Sequence, residues 1–252
     1  MRVSILVPAY NEEKTIERVL LKLLDLPVGE REIIVVDDGS TDTTGRMVQQ
    51  LAAIHPVIRF FSHTKNLGKT AAISRAISES AGDILIVQDA DLEYDPSEIP
   101  EIISPIVEGV ADVVYGSRFM VKRASRVLYY YHYLANKFLT CLSNILTNRN
   151  MSDIETCYKA FHRDVILPIR LQSSGFGMEV EITAMVCKTR ARTYEVPISY
   201  YGRTYEEGKK IGTWDGVAAI WYILYFNLFH PYTKAGRAYI KTVNASLQKR
   251  QT

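Results

Sequence analysis

Apolar runs that stop abruptly at polar or acidic residues set the rhythm of the first half of the chain. Runs within residues 2–8, 32–36 and 57–61, and Ile84-Leu85-Ile86-Val87 after Gly82-Asp83, read as strands. Short, nearly unbroken apolar runs suit strands of a parallel sheet that is covered on both faces. Helical periodicity is expected from the turn at 9–16 to about residue 25, over 43–54 and over 71–80, giving the order βαβαβαβ. Further along, a helix over about 97–108, a strand at 112–115, a helix opening at 176–181, a last strand at 193–198 and a largely apolar helix over 216–229 complete the reading. The expected class is α/β, with a mostly parallel central sheet flanked by helices.

In open α/β sheets the ligand sits beyond the carboxyl ends of the strands, and that is where this chain puts its charges. Asp89, Asp91 and Glu93 follow the run ending at Val87. Crowded carboxylates repel one another unless a cation lies among them, and hard oxygen donors suit magnesium or manganese shared with substrate phosphates. A solvated acidic loop would account for the triplet alone, so the neighbouring strand ends must decide. The first turn carries Glu12 and Glu13 and none of the glycines that let a dinucleotide-binding turn approach pyrophosphate, which argues against a nicotinamide dehydrogenase. The second strand ends in Asp37-Asp38-Gly39-Ser40-Thr41-Asp42, where Asp37 or Asp38 can accept from a base or ribose while Gly39 makes a turn and Thr41 or Asp42 caps a helix. Lys69, after Gly68, stands where a helix amino terminus would meet an anion.

A chain of 252 residues, 47% hydrophobic and 23% charged, holds one large domain or one with a helical appendage. The formal net charge of +2 is too small for a nucleic-acid binder, so electrostatics must act locally. Cys141, Cys157 and Cys187 are odd in number and lack a C-x-x-C spacing, which suggests neither a disulfide framework nor zinc and fits a reducing cytosol. The amino terminus enters a strand pattern at once, so no export signal is expected. The apolar run at 217–229 is broken by Asn227 and falls short of the roughly 20 residues that span a bilayer.

Pro8-Ala9-Tyr10-Asn11-Glu12, Asp37-Asp38-Gly39-Ser40-Thr41-Asp42, Asn66-Leu67-Gly68-Lys69 and Asp89-Ala90-Asp91, in this order, resemble the family 2 glycosyltransferases of the GT-A fold. Within that family the chain is most similar to the dolichol-phosphate mannose synthase and polyprenyl-phosphate glycosyltransferase branch, over about residues 1–215, leaving an aromatic helix and polar tail at 216–252. The resemblance implies a nucleotide-diphosphate sugar, GDP-mannose or UDP-glucose, whose base and ribose lie near Pro8, Tyr10, Glu12 and Asp38. It further implies that Lys69 and Ala90 belong to the donor site, and that the diphosphate meets magnesium or manganese at Asp89 and Asp91, with Glu93 as a further ligand. Glu93 departs from the glutamine that dolichol-phosphate mannose synthases often carry, which leaves mannose unassigned.

The same resemblance gives Asp153 an acceptor-side role, as base or positioning group, and places Arg203 and Lys209 in a glycine-bearing loop that closes over the diphosphate. Arg118 ends a strand with a cation, and Arg118 and Arg126 are expected to hold an acceptor phosphate. Lys122, Arg123 and Arg126 precede an aromatic-rich stretch in which His132, Asn136, Thr140, Ser143 and Thr147 recur at helical spacing, with leucines, tyrosines, Phe138 and Ile145 opposite. This helix is expected either to pack on the domain or to lie at a membrane surface. The reading that follows is hexose transfer, of mannose or glucose, to dolichyl or undecaprenyl phosphate by a protein peripheral at the cytoplasmic membrane face. The alternatives are a family 2 enzyme acting on a hydroxyl, with Asp153 or Glu155 as general base, and a non-catalytic nucleotide-sugar-binding subunit.

Overall fold

The computed structural model describes residues 1–120, 126, 127, 129–202 and 213–251. Seven strands and nine α-helices stand among them: β1 (Val3–Ala9), α1 (Ile16–Leu24), β2 (Arg31–Asp37), α2 (Thr44–Ile54), β3 (Ile58–Ser62), α3 (Lys69–Glu79), β4 (Ile84–Val87), α4 (Ile99–Val107), β5 (Val113–Ser117), α5 (Tyr130–Thr147), β6 (Lys159–His162), α6 (Arg163–Ile166), α7 (Met178–Cys187), β7 (Thr193–Pro197), α8 (Thr213–Leu228) and α9 (Lys234–Gln251). The strands form one sheet in the order β3-β2-β1-β4-β6-β5-β7, and β6 runs antiparallel to both its neighbours while the other pairs are parallel. The unbroken runs Ile33–Val36 and Ile84–Ile86 are fully buried, as strands covered on both faces must be. On α1 the buried positions Ile16, Val19, Leu20 and Leu23 follow the helical period and turn one stripe to the sheet.

The chain leaves β1 for β2 on one side and returns to β4 on the other, so the strand order reverses between β1 and β4. Leu6 pairs with Val87 across this boundary, so the residues after Ala9 and after Val87 open on one crevice.

Three features go beyond what the sequence predicts. Strand β6 was not anticipated: its four residues begin with Lys159, whose charge masks a position that is 2% exposed and flanked by β4 and β5. The polar tail contains α9, which buries Tyr239, Val243 and Leu247 in the main core and docks Arg250 onto Asp112 at 3.3 Å. Helix α5 buries Leu139 together with part of its polar stripe. Thr140 and Ser143 are buried, while Phe138, Ile145 and Tyr131 stand out, the last 82% exposed. This side of the helix is tied by hydrogen bonds to the segment that carries Asp153, with Ile154 N–H donating to Thr140 Oγ1 at 3.5 Å. The Asn144 amide donates to Met151 O at 2.8 Å, Met151 N–H donates back to Asn144 Oδ1 at 3.2 Å, and Lys137 Nζ reaches Ser152 O at 3.4 Å.

Candidate active site

A cleft of about 1040 Å³ opens at the strand-order reversal, and Pro8, Tyr10, Glu12, Asp38, Lys69, Asp89, Ala90, Asp91, Glu93, Arg118 and Arg126 all line it. Arg203 and Lys209, like Lys122 and Arg123, lie outside the described residues. Asp153 sits behind the wall, fully buried.

The wall beneath β1 and β2 is built by local hydrogen bonding. Asn11 takes the left-handed conformation at φ 53°, accepts from Thr41 N–H through its side chain at 2.9 Å and donates its N–H to Ser40 Oγ at 2.9 Å, tying the two strand ends together. Gly39, at φ 72°, has no room for a side chain, because a Cβ there would come within 2.5 Å of the Lys65 backbone. Asp38 accepts from His63 Nδ1 at 2.7 Å, Leu67 N–H at 3.0 Å and Gly68 N–H at 2.7 Å. Its carboxylate therefore shapes the loop that presents Lys69 while also lining the cleft.

Lys69 is no surface lysine. Its ammonium lies 2.9 Å from Asp89 Oδ1, 3.3 Å from Glu179 Oε1 and 3.2 Å from Cys157 Sγ. Burial alone would favour the neutral amine, but Asp89, with Cys157 and Glu179, outweighs it and holds the lysine charged well above its usual range. Beyond Asp89 the chain turns sharply: Leu92 adopts φ 62°, an unusual conformation for a bulky side chain, and Glu93 N–H donates to Asp91 Oδ1 at 3.1 Å. Glu93 itself accepts from Tyr200 Oη at 2.7 Å, and its carbonyl accepts from Tyr201 N–H at 2.9 Å.

The triplet therefore does not converge on one point. No group of three or more histidine, cysteine, aspartate or glutamate side chains stands ready as a metal cage among the described residues. Asp89 and Asp91 still fit a hard divalent ion in the way magnesium is commonly held, by one or two carboxylates with substrate phosphates completing the shell. Glu93 is drawn toward the segment after β7 instead.

Across the cleft, Arg118 at the end of β5 grips Asp153 bidentately, Nε to Oδ2 and Nη2 to Oδ1 at 2.7 Å each, and Nη2 also donates to Asn136 Oδ1 of α5 at 3.2 Å. Burial would raise the Asp153 carboxyl, but the Arg118 charge and hydrogen bonds overcome it and hold it below the usual aspartate value. The guanidinium lies 5.2 Å over the Tyr200 ring, so one connected path runs Asp153, Arg118, Tyr200, Glu93 from one side of the cleft to the other. Arg126 Nη1 donates to Gly202 O at 3.0 Å at the cleft mouth.

The sequence does not point to Glu179 or Tyr200, marks Asn136 only as part of a polar helix stripe, and offers Glu155 only as an alternative base. Glu179 and Glu155 line the cleft. Burial, then the Glu179 charge, push the Glu155 carboxyl up from 4.5 to about 7. The structure explains the importance of Glu179: α7 is buried from Met178 to Val186, and a carboxylate in the first turn of such a helix needs a partner or a ligand.

The glycosyl transferase family 2 profile matches residues 4–168. Among curated relatives, dolichol-phosphate mannosyltransferase of Pyrococcus furiosus is 30% identical over 84% of this chain and 60% of its own, and undecaprenyl-phosphate mannosyltransferase of Micrococcus luteus is 30% identical over 87% and 92%. An undecaprenyl-phosphate 4-deoxy-4-formamido-L-arabinose transferase of Proteus mirabilis is 31% identical over 82% and 62%. The chain thus spans about three fifths of the length of the Pyrococcus and Proteus relatives. A solved structure of glucosyl-3-phosphoglycerate synthase from Mycobacterium tuberculosis, holding Mn2+, UDP-glucose and phosphoglyceric acid, superposes with a TM-score of 0.68 at 22% identity, over 89% of this chain and 79% of that one. That likeness establishes the GT-A architecture, and with the family match over most of the chain it follows that this protein belongs to glycosyl transferase family 2.

Proposed function

We propose that the protein transfers a hexose, with inversion, from a nucleotide-diphosphate sugar to a polyprenyl phosphate. The observation that carries this reading is the state of Asp153. A general base for a hydroxyl acceptor needs a carboxylate able to take a proton, whereas Asp153 is fully buried and spent on Arg118. What the acceptor side presents is a positioned guanidinium. A phosphate monoester suits that arrangement, because with a second pKa near about 6 it is already largely anionic and needs orientation more than deprotonation. The similarity to transferases named for dolichol phosphate and undecaprenyl phosphate supports the same acceptor.

On the donor side, Pro8, Tyr10 and Glu12 would flank the nucleotide, and the loop shaped by Asp38 presents Lys69 toward the diphosphate. Asp89 and Asp91 would hold magnesium or manganese, which supplies charge neutralisation for the departing nucleotide diphosphate. Arg203 and Lys209 are assigned to the same end of the site. The neighbour holding Mn2+ supports a divalent ion.

Association with a membrane surface completes the reading. Among the described residues no helix is long and apolar enough to cross a bilayer. Tyr130, Tyr131 and Phe138 of α5 and Trp214, Val217 and Trp221 of α8 are exposed on neighbouring helices, and Val127, Tyr129, Tyr130 and Tyr131 border the cleft, so an apolar surface reaches the acceptor side. A cytoplasmic face is the expected location, since nucleotide sugars and an unpaired set of thiols both suit it.

Incubation with a panel of nucleotide sugars and a short polyprenyl phosphate, with and without manganese, tests the function. A manganese-dependent glycosylated lipid phosphate is expected. Transfer only to free saccharides would instead favour the hydroxyl-acceptor reading, in which Glu155, held near neutrality and reaching the cleft, is the candidate base.

A further inference from the structure

Two residues that line the cleft each carry a buried carboxyl oxygen with no hydrogen-bond partner among the described residues. Glu179 is 3% exposed, its Oε1 pairs with Lys69, and its Oε2 has no hydrogen-bond partner among the described residues. Glu155 Oε1 is likewise buried and unpartnered among them. Burying a carboxyl oxygen without a partner is unfavourable, so two at one cleft point to a ligand that brings polar groups to them. The ligand groups that fit are narrow in kind. Phosphate oxygens are acceptors and would be repelled, and an isoprenoid chain has nothing to donate, whereas hydroxyl groups satisfy a carboxylate at no cost in charge.

We propose that Glu155 and Glu179 read the hydroxyl groups of the transferred hexose and so determine which sugar is used; the inference rests on the nucleotide-sugar reading above. Position supports it. Asp89, Lys69 and Glu179 form a chain of contacts at 2.9 and 3.3 Å, so Glu179 stands one side chain beyond the carboxylate assigned to the diphosphate end, where the attached sugar must lie. Both residues are held rigidly. Gly177, two residues before Glu179, packs against the Tyr222 ring of α8 with no space for a Cβ, and Ser174 N–H donates to Tyr222 Oη at 3.2 Å. Lys159 lies under the Glu155 turn, donating to Ile154 O at 2.9 Å and to Thr156 O, which fixes the backbone on either side of Glu155. Alternate residues of this turn then serve different partners: Asp153 holds Arg118, Glu155 faces the cleft and Cys157 meets Lys69. A carboxyl titrating near 7, as Glu155 does, can also donate to a sugar oxygen as well as accept from a hydroxyl.

Calorimetric titration with GDP, GDP-mannose, UDP and UDP-glucose, each with manganese, tests this on wild type, Glu155→Gln and Glu179→Gln, with thermal melting to verify folding. Wild type should bind one nucleotide sugar more tightly than the matching nucleotide diphosphate. Each variant should lose about tenfold of that sugar-dependent increment, equivalent to about 1.4 kcal/mol, with its affinity for the nucleotide diphosphate changed less than about twofold. Equal losses for nucleotide and nucleotide sugar would overturn the inference, since they would reduce Glu179 to a partner of Lys69. Undiminished sugar increments in both variants would overturn it as well, and would leave the donor reading intact. Wild type binding none of the four would overturn the nucleotide-sugar reading itself, and this inference with it.

Discussion

Arg118 and Asp153 face each other across two parallel contacts of 2.7 Å in a wall that excludes water from the carboxylate entirely. Removing one member of such a pair leaves an uncompensated buried charge. Asp153→Asn is therefore expected to lower unfolding free energy by about 3 kcal/mol and to cut turnover through the displaced guanidinium. Urea denaturation and a transfer assay on the same preparation check this; full stability with lost activity would make Asp153 a base and not a positioning group.

Asp153 and Glu155 should pull stability in opposite directions as pH changes. The folded-state pKa of Asp153 is depressed below 3.8, so its contribution is present above about that value and lost as pH falls through the lowered one. Glu155 is raised from 4.5 to about 7, so the folded state binds more protons than the unfolded chain between those values and stability declines as pH rises through them. Denaturation across pH 4.5 to 7 should show this decline flattened in Glu155→Gln. An unchanged slope in the variant would contradict the assignment.

Asp91→Ala is expected to abolish manganese-dependent transfer while shifting the melting temperature little, since Asp91 lines an open cleft and is not a core residue. Asp89→Ala should be as damaging and should also loosen Lys69. Glu93→Gln should cost less, because its partner Tyr200 can donate to an amide oxygen as well. Manganese titration of each variant separates these outcomes.

The outward face of α5 and α8 should hold the protein on bilayers after salt has screened the basic residues. Tyr131→Ser and Trp221→Ser, at positions 82% and 60% exposed, are each expected to weaken vesicle binding about tenfold at high salt without loss of fold. Vesicle sedimentation measures it, and unaltered partitioning in the double variant would remove this face from the account.

The strands and the cleft were legible in the sequence because both obey local rules. Runs such as Ile84–Val87 are buried on both faces whatever surrounds them, and strand ends in a sheet of this topology must converge, so Asp38, Asp89 and Arg118 could be placed from order alone. The inward side of α5 was hidden because its polar residues bond to a segment seven to fifteen residues away, which periodicity does not record. Strand β6 was hidden by Lys159, a buried lysine sustained by backbone carbonyls. Glu93 reads as a ligand beside Asp91, yet the strained turn at Leu92 sends it to Tyr200. Glu179, 110 residues beyond Lys69 in the chain, enters the site through tertiary packing on that lysine.

The acceptor proposed for this protein is a lipid phosphate seated at Arg118. Labelled-hexose transfer to a short polyprenyl phosphate and to the matching polyprenol, by wild type and Arg118→Met with manganese present, tests it most directly. Product is expected from the phosphate alone, reduced at least about a hundredfold in the variant. Equal transfer to the polyprenol, or undiminished transfer by Arg118→Met, would contradict it.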